Sequence, residues 1–148
     1  MRTKNVKPST YGSLYKQDFP HGTILPVVFG NLVDFDIAGP FQNTSPDIAT
    51  NRIRILKSGV YHITANVSVI LDEGQSVLFN INGCANGSAP LIGSFFEAIS
   101  ISTVTGITVQ VFLNVGDEIG IFVAHTLTPG YGSPRYNRSA LTVHLLDD

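Results

Sequence analysis

Between Gly59 and Leu71 the chain alternates with a period of two. Tyr61, Ile63, Ala65, Val67, Val69 and Leu71 take the odd positions, and Val60, His62, Thr64, Asn66, Ser68 and Ile70 the even ones. Successive side chains of a strand point to opposite faces, so this segment predicts a strand with its odd face on a core and its mostly polar face outward. Arg52-Ile53-Arg54-Ile55-Leu56 alternates just before it, with Lys57-Ser58-Gly59 as the intervening turn. Ser76 to Asn82 is a third such run and leads into Asn82-Gly83, a dipeptide suited to the positive φ of a hairpin turn.

Two longer β-rich runs follow, Pro90 to Ile101 and Val104 to Leu113, parted by Ser102-Thr103. Asn114-Val115-Gly116-Asp117 turns the chain into a strand over Glu118 to His125. A Gly/Pro-rich loop over Thr128 to Pro134 then precedes a last strand over Ser139 to Leu146. Upstream, Tyr11 to Lys16, Ile24 to Phe29 and Leu32 to Ile37 predict shorter strands. Helical periodicity is nearly absent, so no crossover helices are available for a parallel sheet. About ten strands with short connections leave an all-β, antiparallel two-sheet sandwich of jelly-roll type. Residues 1–10 read as a flexible leader and residues 11–148 as one domain, which a chain of 148 residues is long enough to form around a core of its own.

Composition sharpens this picture at one point. Charged residues make up 14% of the chain, against roughly 25% in an average globular protein. A surface so poor in charge has little repulsion to hold copies apart, although a compact sandwich with Ser and Thr on its outer faces has the same composition. The net charge is −2 and the basic residues cluster only at Arg52, Arg54 and Lys57, so nucleic acid has no electrostatic footprint to bind. The basic start, Met1 to Pro8, leads into no apolar run, and no stretch approaches the roughly 18 apolar residues of a membrane span. Neither a signal peptide nor a membrane helix is therefore expected. A single cysteine, Cys84, excludes an internal disulfide. It falls in the expected turn Asn82 to Gly87, as an inert exposed thiol or as a cross-link between chains.

Three short motifs then carry a resemblance. Gly59-Val60-Tyr61-His62-Ile63, following an Ile-x-Ile strand, is similar to the G-x-Y strand of the complement globular head and tumour-necrosis-factor (TNF-like) jelly rolls. Leu113-Asn114-Val115-Gly116-Asp117-Glu118-Ile119 resembles the L-x-x-G-D-x-I/V entry to the penultimate strand of that superfamily, and Ser139 to Val143 resembles its last core strand. More narrowly, Arg52 to Ile63 is similar to the exosporium basal-layer and collagen-like glycoprotein head domains of Bacillus spores. The resemblance covers roughly residues 50–146. It implies a ten-stranded jelly roll that forms a tight homotrimer, with Tyr61 on the buried face and its hydroxyl reaching a rim. The Gly-x-y repeats that precede the collagen-like heads are missing, which makes a relative of the basal-layer type the better match.

Few residues are arranged for chemistry. His21, His62, His125 and His144 are scattered, with no i, i+2 or i, i+4 pair. They read as separate structural or surface histidines; the alternative is a metal on a trimer axis, for which His62 and His144, on strand faces, are the candidates. Asp34 and Asp36, and Asp72 with Glu73, read as solvated edges or turns. No nucleophile elbow, phosphate loop or dinucleotide fingerprint occurs, so neither catalysis nor a cofactor is expected. Glu97 shares parity with Phe95, Ile99 and Ile101. A carboxylate on an apolar face needs a partner, so Glu97 is expected to pair with Arg52, Arg54 or Arg138, inside the sheet or across a subunit interface, unless a bulge turns it outward. Phe95, Phe96, Phe112 and Phe122 are core or trimer-interface candidates. Tyr131 and Tyr136 mark a loop that binds a sugar or partner, or is merely structural.

Three functions follow in order. The first is a non-enzymatic assembly protein of a bacterial spore surface layer, the exosporium, where a homotrimer meets other spore surface proteins. Deposition from the mother cell needs no signal peptide. The second is the carbohydrate- or receptor-binding tip of a phage or cell-surface fibre, which requires an exposed aromatic patch. The third, a cupin-type enzyme, lacks the H-x-H that its metal site needs.

Overall fold

The computed structural model describes residues 8–17, 23–129 and 132–146, and these contain twelve strands and no helix. They are β1 (Tyr11–Lys16), β2 (Leu25–Pro26), β3 (Ile37–Ala38), β4 (Thr44–Asp47), β5 (Arg52–Ile55), β6 (Gly59–Ile70), β7 (Ser76–Gly83), β8 (Ala89–Pro90), β9 (Phe96–Ile99), β10 (Thr103–Leu113), β11 (Glu118–Leu127) and β12 (Arg135–Leu145). Two antiparallel sheets form from them. The first runs β10-β6-β12-β1-β3, with β2 beside β12; the second runs β4-β5-β11-β7-β8, with β9 beside β7. The chain is an all-β jelly-roll sandwich.

The alternation in the sequence decides which residues lie between the sheets. Tyr61, Ile63, Ala65, Val67 and Val69 of β6 point inward with Leu141, Val143 and Leu145 of β12, opposite Ile53 and Ile55 of β5, Phe79 and Ile81 of β7 and Ile119 and Ile121 of β11. Phe96 of β9 stacks on Phe79 with ring centroids 5.2 Å apart, closing one side of the core. Gly12 is inward-facing and close-packed: a Cβ there would meet Thr44 Oγ1 at 2.3 Å, so β1 sits against β4 only because this residue has no side chain. Thr10 is fully buried and its carbonyl accepts the Leu145 N–H, so the packed domain reaches into the end of the segment read as a leader. Residues 1–7 lie outside the described residues.

Several expected elements differ. The hairpin turn is not at Asn82-Gly83. Strand β7 continues through Gly83, whose missing side chain makes room for Leu91, and the reversal falls at Cys84 to Gly87, with the Gly87 N–H on the Cys84 carbonyl at 2.9 Å. Cys84, Asn86 and Gly87 all have positive φ. The single run expected over Pro90 to Ile101 is interrupted between β8 and β9 by a turn in which Ser94 N–H returns to Leu91 C=O and Gly93 takes φ +73°. The segment Leu32 to Ile37 forms a strand only at its end, because Asp34 and Phe35 direct their N–H groups to side chains, Tyr136 Oη and Asn51 Oδ1. Strand β4 carries Pro46 and no alternation of apolar residues, and the pattern misses it.

Candidate functional site

The outward face of the first sheet is built by the same alternation that builds the core. Four rows cross it. Tyr11, His144, His62 and Gln110 form one; Ser13, Thr142, Thr64 and Thr108 the next; then Tyr15, Ala140, Asn66 and Gly106; then Arg138, Ser68 and Val104. Arg138 is the one residue among these with a permanent charge. Thr64 and Thr108 hydroxyls lie 3.3 Å apart, so polar groups within the face satisfy one another in part. At Gly106 a Cβ would come within 2.5 Å of the Ala65 carbonyl oxygen, and its absence lets β10 lie close on β6. The result is a nearly uncharged surface.

Beside that face is an apolar flank. Strand β10 is the edge of the first sheet and meets β9 of the second, where Thr105 Oγ1 donates to Glu97 C=O at 2.7 Å. Phe95, Ile99, Ile101, Val104 and Phe112 project from this side, each about half to two-thirds exposed, and Ile92 is 92% exposed. Phe112 and Ile92 line an open depression of about 490 Å³ with Cys84, Pro90, Leu91 and Val111. Large apolar side chains left this exposed at one edge of a sandwich make it a surface suited to contact.

All but one of the site residues singled out in the sequence fall among the described residues. Tyr61 is fully buried, and its hydroxyl donates to Lys57 C=O at 2.6 Å, reaching the rim at the preceding turn. Phe96 is core, whereas Phe95 and Phe112 are exposed and Phe122 is half-buried on the outer face of the second sheet. Glu97 faces solvent, as do Phe95 and Ile99, while Phe96 and Ala98 take the core side. No arginine of the same chain pairs with Glu97 among the described residues, because the strand presents the opposite face to the core. Arg52 instead meets Glu118 at 3.6 Å. Cys84 is exposed in a turn, as read. Tyr136 is not a loop residue: it lies in β12, 4% exposed, and its oxygen accepts the Asp34 N–H at 2.9 Å. Burial pushes its phenol up to about 12. Tyr131 lies outside the described residues.

Among the described residues no group of three or more His, Cys, Asp or Glu side chains converges as a metal site. Asp34 and Asp36 border a cavity of about 390 Å³ that also receives Lys16. Lys16 is 4% exposed, and its ammonium donates to the carbonyls of Thr23 and Asn137, so a cation already occupies that corner. Sequence reading missed Lys16, although its parity with Leu14 in β1 marks it as inward.

A second concavity, about 580 Å³, opens on the outer face of the second sheet. Phe29, Phe95 and Phe122 line it together with Arg52, Asn80 and Asn82. Asn80 Nδ2 donates to Asn82 Oδ1 at 2.6 Å, and Asn82 Nδ2 to Gly87 C=O, which holds both amides in place.

No helix among the described residues is long and apolar enough to cross a membrane. Neither a protein-family model nor a curated protein sequence matches the chain. Solved structures do. The globular domain of zebrafish complement 1qA protein superimposes with a TM-score of 0.68 at 17% identity, over 95% of this chain and 98% of that one. The Eiger TNF of S. frugiperda superimposes with a TM-score of 0.68 at 12% identity, over 96% of this chain and 95% of that one. The fold is the complement-head and TNF-like jelly roll.

Proposed function

We infer that this domain is a non-enzymatic assembly module that associates with copies of itself as a homotrimer. The observation that carries this reading is the apolar flank along β9 and β10 beside the nearly uncharged face of the first sheet. A face with many fixed charges repels its own copy, and the four rows of this one carry a single permanent charge, Arg138. Burial of Phe95, Phe112, Ile92 and Ile101 then supplies the favourable term, at about 25 cal/mol for each Å² removed from water. The fold supports the same reading by analogy with the trimeric association that the sequence resemblance implies. Light scattering behind size exclusion tests it. A mass near three times 15.9 kDa that survives dilution is the expected result, and a monomer overturns it.

The setting of the assembly is proposed as a bacterial spore surface layer, the exosporium, where the trimer meets other spore surface proteins. The similarity of Arg52 to Ile63 to spore head domains supports this. Antibody labelling of intact purified spores of the source bacterium checks it, and signal confined to the cell interior rejects it.

One observation favours a second reading. The groove of Phe29, Phe95 and Phe122 with fixed Asn80 and Asn82 amides combines stacking surface with hydrogen-bonding groups, the pattern of a carbohydrate- or receptor-binding fibre tip. A glycan array decides it: binding lost on Phe122→Ala supports a tip, and no binding removes it.

A further inference from the structure

We propose that His62 and His144 form a two-imidazole site for one zinc-class divalent ion on the outward face of the first sheet. The two residues are direct cross-strand partners of β6 and β12. In the same register Leu146 N–H donates to Val60 C=O at 2.9 Å. Hydrogen-bonded pairs recur every second residue along an antiparallel ladder, so His62 and His144 are a pair of that class, with Cα atoms about 5.5 Å apart. Ile63 and Val143 point into the core beside them, which fixes both histidines outward. Two imidazoles at that spacing can lean together on one ion at about 2.0–2.1 Å from each nitrogen.

Three features of the surroundings suit a cation there. Neither imidazole has a hydrogen-bond or ion-pair partner among the described residues, so both keep a free nitrogen lone pair when neutral. The row is completed on either side by Tyr11 and Gln110, which add oxygen donors at its ends. Neighbouring outward positions are Val60, Phe112, Ser13, Thr64, Thr108 and Thr142, none of them charged, so no fixed cation opposes binding. Imidazole with open remaining positions is a set that zinc, copper and nickel accept and that calcium, which seeks oxygen, does not. Both imidazoles come from one chain, so the pair needs no second copy to be complete.

The test is calorimetric titration of the full chain with zinc chloride at neutral pH, alongside His62→Ala, His144→Ala and, as controls, His21→Ala and His125→Ala. Circular dichroism melts establish that each variant is folded, and light scattering on the same samples reads the oligomeric state separately. The expected result is one ion per chain, weakened at least about tenfold by either His62→Ala or His144→Ala and unchanged in both controls. The proposal is overturned if zinc gives no binding heat, or if its affinity is the same in all folded variants.

Discussion

The phenol oxygen of Tyr136 in β12 accepts the backbone N–H of Asp34 at 2.9 Å, which ties the last strand to the loop before β3. Burial raises the phenol to about 12, the Asp34 N–H bond opposes that rise, and the nearby Asp34 charge adds to it. An unfolded chain loses this proton near pH 10. Between about 10 and 12 the folded state therefore binds more protons than the unfolded one, and stability falls as pH rises through that window. Below pH 10 the contribution is complete. Urea unfolding from pH 8 to 11.5 should show a decline approaching about 1.4 kcal/mol per pH unit from this group. Tyr136→Phe should remove that part of the slope; an unchanged slope in the variant would assign the decline to other groups.

Phe95 and Phe96 are adjacent in sequence and opposite in consequence. Phe96 stacks on Phe79 in the core, so Phe96→Ala should cost about 3–5 kcal/mol in denaturant unfolding. Phe95 is 49% exposed, and Phe95→Ser should leave monomer stability within about 0.5 kcal/mol. Equal losses in the two variants would contradict the facing of β9.

Ser94 is fully buried in the turn between β8 and β9, where its hydroxyl accepts Ile81 N–H at 3.1 Å and donates to Leu91 C=O at 2.7 Å. Ser94→Ala leaves the Ile81 amide buried and unpaired, a loss of about 1–3 kcal/mol. Thermal melts of the two proteins measure it, and a change below 0.5 kcal/mol, on the order of surface substitutions, would refute the role.

Phe112 stands 61% exposed on β10, opposite Val60 on the outward side. Phe112→Asp should keep the melting behaviour of the monomeric fold and lower the mass seen by light scattering from trimer to monomer, because the carboxylate is brought against its own copies. Retention of a trimer would remove this flank from the interface.

What the sequence determined by itself is the set of faces. Alternation from Tyr61 to Val69, and in β5 and β10 to β12, is a local property of the strand, so core side chains such as Ile63, Leu141 and Ile121 were readable before any contact was known. Asn114 to Asp117 was equally legible. Gly116 takes φ +94° there, and Asn114 N–H is held by the Asp117 carboxylate at 2.8 Å.

Where the chain lacked a single consistent period, the tertiary structure decided. Phe95 to Ile101 is apolar at both parities, and only the packing of Phe96 on Phe79 selects which face turns in, which is why Glu97 ends in solvent. The turn after β7 moved past Asn82-Gly83 because Leu91 needs the space above Gly83. His62 and His144 sit in separate strands with no local spacing to connect them. Their adjacency comes from the register of β6 on β12, a long-range pairing set by burial of the alternate residues on both strands, Tyr61 and Ile63 with Val143 and Leu145.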